Sequence, residues 1–94
     1  MVDQEFQAQI ERDLPGWQTR GESLHGRWAF PDFASALAAL VHVGALAEQA
    51  DHHPNIRLSW GRLEIDLTTH SAKRLTEKDL DLAGRISSAL GQPG

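Results

Sequence analysis

From Asp3 onward the apolar residues Phe6, Ile10 and Leu14 recur at every fourth position among polar neighbours, which puts them on one face of a helix. The pattern predicts a short amphipathic helix over 3–13, stopped by Pro15-Gly16. Between Trp17 and Phe30 a weak alternation around Leu24, Trp28 and Phe30, broken by Gly21 and Gly26, predicts two short strands joined by a turn. Pro31-Asp32 punctuates the chain, and Asp32 is placed to cap a helix on which Phe33, Leu37, Leu40, Val41, Gly44 and Ala45 share helical spacing. Seven alanines from Ala34 to Ala50 favour this long helix and let it lie close to a sheet. It ends at Asp51-His52-His53-Pro54, because the residue before a proline is pushed out of helical geometry.

Beyond Pro54, Ile56, Leu58 and Trp60 alternate with polar residues, Gly61 interrupts, and Leu63, Ile65 and Leu67 then alternate with Glu64, Asp66 and Thr68. This is the period of two expected of a hairpin with one apolar face, and His70 falls on its polar face. After a polar loop over 71–75, Thr76 opens a last helix with Leu80, Ala83, Ile86 and Leu90 on its inner stripe, and Gly91 to Gly94 read as a frayed tail. Helix, two strands, long helix, two strands and helix, joined by short connections, predict an α+β fold: a four-stranded antiparallel sheet covered on one face by the helices. Trp28 and Phe30 share the parity of Leu24 and are expected in the core. Trp17 is placed to pack the first helix, and Trp60 either fills core or lines a flat heterocycle pocket.

The chain has 94 residues, enough for a single domain over 1–94 and too few for two. A chain of this size buries only about 60 to 65% of its unfolded surface, so association through a sheet edge or helix face would add stability. A net charge of −4 without any basic run argues against holding nucleic acid by phosphate neutralisation and favours a small neutral or mildly polar ligand. There is no cysteine, hence no disulfide, thiolate metal site or thiol nucleophile. The start, Met1-Val2-Asp3-Gln4-Glu5, has no signal-peptide core, and the apolar run Phe33 to Ala47 contains His42 and is short for a bilayer. A soluble cytoplasmic protein is expected.

Five histidines carry most of the candidate chemistry. His25, in a turn, and His42, within a helix, attract no acidic company. His52 and His53 lie in the turn leaving the long helix, His70 lies at the end of the last strand, and Asp79 opens the final helix. Imidazoles titrate near neutrality, so two facing one ligand can act as acid and base in the same turnover. A carboxylate such as Asp79 can fix a histidine tautomer, but standing three residues after Thr76 it also fits a helix cap. The His-His pair fits a helix end equally well. His52, His53, His70 and a carboxylate are legitimate metal ligands, yet neighbouring side chains in a turn diverge and no helical His-x-x-x-His pair exists, so no metal site is expected. None of the serines lies in a nucleophile elbow, and Gly44 and Gly61 make no phosphate loop.

Glu48-x-x-x-His52-His53-Pro54, Trp60 six residues past the proline, Thr69-His70 and Asp79 together resemble the signature of the pterin-4a-carbinolamine dehydratases. Trp28-x-Phe30-x-x-Phe33, Leu46-Ala47-Glu48 and Leu75-Thr76-x-x-Asp79-x-x-Leu82-Ala83 extend the likeness over roughly residues 17 to 90. The resemblance implies a four-stranded antiparallel sheet with three helices on one face, and homodimers or homotetramers paired through sheet edges. The implied reaction is removal of water from 4a-hydroxytetrahydrobiopterin to give quinonoid dihydropterin, with no metal or organic cofactor. It further implies that His52 and His70 divide the roles of acid and base and that His53 binds or orients the pterin. Asp79 would hold His70, Glu48 and Asp51 would border the pocket, and Thr69 would hydrogen-bond the ring. Where the family carries a glycine or glycine pair before Leu-Thr, this chain has Lys73-Arg74, which demands another backbone path if φ is positive there. A second expectation follows from the same resemblance: some members act as protein-binding or assembly partners, among them a transcription-factor dimerisation cofactor and proteins associated with carboxysomal Rubisco assembly.

Overall fold

In the structure, a computed structural model that describes residues 3–94, three helices cover one face of a four-stranded sheet. Met1 and Val2, within the segment read as lacking a signal core, lie outside the described residues. Helix α1 (Gln4–Asp13) begins at Asp3, whose carboxylate accepts the amide of Glu5 at 2.7 Å. Strands β1 (Gln18–Arg20) and β2 (Ser23–Ala29) form the first hairpin, and β3 (Asn55–Ser59) and β4 (Arg62–Leu67) the second. The strands order as β1-β2-β4-β3, with every pair antiparallel. In the central pair Leu24 opposes Leu67 and Trp28 opposes Leu63, so the apolar parity of both strands points to the helices.

Long helix α2 (Phe33–Ala50) starts at Asp32, which accepts the amide of Ser35 at 2.7 Å. That backbone hydrogen bond, with a second from the Ser35 side chain, holds the Asp32 carboxyl below the usual carboxylate range. The inward face of α2 differs from the one expected. Ala36, Ala39, Val43 and Ala47 are buried, whereas Phe33, Leu37 and Val41 are 45%, 41% and 65% exposed. Small residues let the helix settle on a sheet already filled by leucines and isoleucines, and larger ones there would hold the layers apart. The helix also runs past Ala47 to Ala50, and its 18 residues with mean hydropathy 1.3 meet the length and composition of a membrane crossing, contrary to the shorter run expected. Its small residues lie instead against the sheet.

Helix α3 (Glu77–Leu90) places Leu80, Leu82, Ala83 and Ile86 in the core with Leu24, Leu63, Ile65 and Leu67. Truncating one of these fully buried leucines or isoleucines to alanine costs about 2 to 5 kcal/mol. Trp17 and Trp28 meet edge to face with centroids 5.3 Å apart. Both are pinned to the far end of α3: Trp17 Nε1 donates to Ser87 Oγ at 2.7 Å and Trp28 Nε1 to the Gly91 carbonyl at 2.9 Å. Trp17 thus packs β2 and α3. Gly26 is required beneath them, since a Cβ there would lie 2.8 Å from Trp28 and 2.9 Å from Trp17.

The segment after α3 is not frayed. Pro93 is buried, the Gly94 amide donates to the Arg27 carbonyl at 2.8 Å, and a Cβ on Gly16 would lie 2.1 Å from the Pro93 carbonyl oxygen. Nor does His25 sit in a turn: it is a buried residue of β2, with Nδ1 2.9 Å from Asp66 and Nε2 3.8 Å from Glu64.

Candidate active site

Three chain reversals converge at the end of the sheet where β4 finishes and β3 begins. The first ends α2. Asp51 takes a left-handed conformation (φ 50°), its amide reaches the carbonyls of Ala47 and Glu48, and the amide of His52 returns to Ala47 at 3.1 Å. This is the Schellman arrangement, with an aspartate where glycine is commonest. It turns His52 back under the helix and leaves His53 facing outward before Pro54.

The second reversal follows β4. Thr69 and Arg74 form an isolated antiparallel bridge, closed by the Ala72 amide on the Thr69 carbonyl (3.1 Å) and the Lys73 amide on the His70 carbonyl (3.2 Å). Lys73 sits at φ 56°, so a lysine here adopts the left-handed conformation that glycine takes most readily. His70 opens this tight loop. It is exposed, lies three residues beyond Leu67, where β4 ends, instead of at the end of the strand as expected, and has no side-chain partner among the described residues.

The third is the start of α3. Thr76 accepts the amide of Lys78 at 3.3 Å, and Asp79 reaches back to accept the amide of Thr76 at 3.0 Å, a capping box. Asp79 is also fully buried, and it does more than cap. Its Oδ1 lies 2.5 Å from Nε2 of His52, while Oδ2 accepts both the Thr76 amide and the Thr69 hydroxyl, the latter at 2.7 Å. The Thr76 hydroxyl lies 2.7 Å from that of Thr69, so each threonine donates to the next oxygen in line and every proton in the network has an acceptor. The cap and the histidine-orienting function, alternatives in the sequence, belong to the same carboxylate.

The partner of Asp79 is therefore His52, a correction to the expected Asp79–His70 pair. Both oxygens of Asp79 are occupied, and His70 receives nothing from it. Because a carboxylate only accepts, Nε2 of His52 carries a proton, and in the neutral imidazole the lone pair is then on Nδ1. The His52 side chain is 12% exposed, shielded but reachable. Beside it, His53 Nε2 lies 2.5 Å from Glu48 Oε1 on the surface. Thr76 is the member of the network that a search for catalytic types passes over; its capping signature was the signal.

Asp51 is an exposed helix end, and Trp60 belongs elsewhere. It sits in the β3–β4 turn at the opposite end of the sheet, 69% exposed, sharing a concavity of about 330 Å3 with Phe30, Ser59, Gly61 and Arg62. It serves neither as core nor as a wall of this site. Behind the network, Thr69 and Thr76 line a concavity of about 490 Å3 with Phe6, Ser71, Ala72 and Arg74.

Fold and site together define a protein of the pterin dehydratase kind. Residues 1–89 match the family described as pterin 4 alpha carbinolamine dehydratase, and the chain belongs to that family. A protein of Roseiflexus sp., provisionally named pterin-4-alpha-carbinolamine dehydratase, is 43% identical over 86 residues, covering 88% of this chain and 92% of its own. A similarly named protein of Thermosynechococcus vestitus is 40% identical over 84 residues, covering 89% and 87%. The crystal structure of a transcriptional coactivator/pterin dehydratase from Brucella melitensis superposes with a TM-score of 0.85 at 28% identity, covering 93% of this chain and 95% of that one. A pterin dehydratase-like protein described as a RuBisCO assembly factor in the alpha-carboxysome superposes with a TM-score of 0.67, also at 28% identity, over 81% and 88%.

Proposed function

We propose that this protein catalyses the dehydration of 4a-hydroxytetrahydrobiopterin to quinonoid dihydropterin by histidine acid–base chemistry. The observation that carries the reading is the buried Asp79 carboxylate fixing His52 through Nε2 while holding Thr69, the residue before His70. An imidazolium proton passes to the 4a-hydroxyl, the C4a–O bond breaks and water leaves. The other imidazole takes the N5 proton, and the electron pair of that N–H bond forms the N5=C4a double bond. The lone pair left on Nδ1 supports His52 as the base and His70 as the acid, each contributing about 10² to 10⁴-fold. His53 and Glu48 orient the ring, with Asp51 bordering the pocket. The reaction in this reading needs no metal or organic cofactor, takes place in the cytoplasm, and involves a homodimer or homotetramer joined through sheet edges.

Stopped-flow decay of 4a-hydroxytetrahydropterin tests it directly. Acceleration over the spontaneous rate supports the assignment, and a rate unchanged by added protein overturns it.

The likeness to the RuBisCO assembly factor favours a second reading, in which the fold serves as a protein-binding scaffold without turnover. The exposed cations of the Lys73-Arg74 loop suit such a contact. A stoichiometric complex with a purified partner, together with no catalysis, would select it.

A further inference from the structure

The sheet face turned away from the helices carries an arrangement that the proposed chemistry does not use. Each strand presents one arginine there: Arg20 on β1, Arg27 on β2, Arg62 on β4 and Arg57 on β3, all exposed. Only two acidic residues of the strands, Glu64 and Asp66, share the face, and both lean on the buried His25. Arg27 and Arg57 flank Glu64 in register from either side, yet no ion pair within 4.0 Å joins any of the four arginines to a carboxylate among the described residues. The guanidinium groups are left to reach outward.

The charge of the molecule is thereby segregated. Thirteen acidic residues outnumber nine basic ones over the chain, whereas on this face arginines outnumber carboxylates two to one. The face is also shaped: Arg20, Arg57, Asn55 and the Glu64–His25–Asp66 cluster surround a concavity of about 340 Å3. No three His, Cys, Asp or Glu groups among the described residues are arranged to hold a metal, so this cluster is not a cation site.

We propose that this arginine face docks an acidic segment of a partner protein. Arginine forks bind carboxylates bidentately and are enriched at protein interfaces. Neighbouring strands lie about 4.8 Å apart, so the four guanidinium groups spread across about 15 Å and match carboxylates dispersed along a peptide. Duplex DNA, with a charge about every 1.7 Å, would press phosphates against Glu64 and Asp66 and meet the acidic remainder of the surface.

The test is fluorescence anisotropy of a labelled oligo(Glu-Ser) peptide titrated with the full chain at low and moderate salt. Binding that weakens with salt, and that falls about tenfold when two charge-assisted contacts are removed by Arg27→Ser with Arg57→Ser, is expected. Arg20→Ser with Arg62→Ser should fall similarly, and Arg12→Ser with Arg85→Ser, which removes the same charge from the exposed surfaces of α1 and α3, should leave binding within about twofold. Circular dichroism of each variant verifies its fold. Absence of binding, or equal loss in the Arg12/Arg85 variant, overturns the proposal. Tighter binding of a single-stranded oligo-dT of equal charge reassigns the face to nucleic acid. Concentration-dependent self-association abolished by the arginine variants reassigns it to a second copy of the chain.

Discussion

Asp79 and His52, 27 residues apart in sequence, meet at 2.5 Å through the carboxylate that also caps α3. One oxygen orients the imidazole and the other ties the helix start to Thr69. Helix nucleation and histidine positioning are therefore a single structural event.

Replacing Asp79 by asparagine separates the two. The amide oxygen can still accept from Thr69 and Thr76, so stability should fall by only about 1 kcal/mol. The amide nitrogen, however, would donate to Nε2 of His52 and force the proton onto Nδ1, removing the lone pair. Dehydration should slow by about a hundredfold in Asp79→Asn. Asp79→Ala should lose in addition about 2 to 4 kcal/mol, a missing cap plus unsatisfied buried donors. Paired stopped-flow and urea-unfolding measurements distinguish these outcomes.

The three histidines should respond differently to truncation. His70→Ala, at an exposed loop position, should keep its melting temperature and lose about 10² to 10⁴-fold in kcat. His53→Ala should chiefly raise KM, since its ring is held by surface Glu48 and in the proposed mechanism only orients the pterin. Full activity in the His70 variant would remove that residue from the proposed mechanism.

Lys73 at φ 56° carries a penalty that glycine would not. A left-handed L-residue costs about 1 to 2 kcal/mol, partly offset by the greater unfolded-state entropy of glycine. Lys73→Gly should therefore stabilise the protein by up to about 1 kcal/mol, read as a higher urea midpoint with an unchanged slope. Lys73→Val, β-branched at the same φ, should destabilise it.

Asp32 supplies a pH signature. Its carboxyl is depressed in the folded state by the Ser35 amide, so its stabilising contribution is complete above the unfolded value near 3.9 and is lost as pH falls through the lower folded value. Asp32→Asn keeps an acceptor for the amide without the titration. The stability difference between the native chain and this variant should be constant from neutral pH down to about 4 and should shift against the native chain below it. Urea midpoints of both proteins across that range measure it.

The element order, the three helix starts and the sheet parity were all legible in the chain because each rests on local chemistry. Asp32 and Thr76 announce caps, and Leu63, Ile65 and Leu67 alternate without interruption. The inward face of α2 was not legible, since periodicity marks apolar positions but not which of two apolar faces, one small and one large, fits the space over the sheet. The Asp79 partner was missed for a related reason: His52 and His70 are both compatible with it in sequence, and only the Schellman turn at Asp51 decides between them. Trp60 was misplaced because strand parity says which side of a sheet a residue faces and nothing about which end it occupies.

The tryptophan pair offers an optical consequence. Trp17 and Trp28 are fastened to Ser87 and Gly91, whereas Asp79 stands at the other end of α3, whose 14 residues span about 21 Å. Emission from the pair reports whether the distal end of that rod is seated, and under the proposed mechanism turnover reports the proximal end. Recording both during a denaturant titration would tell whether α3 leaves the sheet as one rigid body or peels from the side that carries Asp79, with solvent-exposed Trp60 as a steady background.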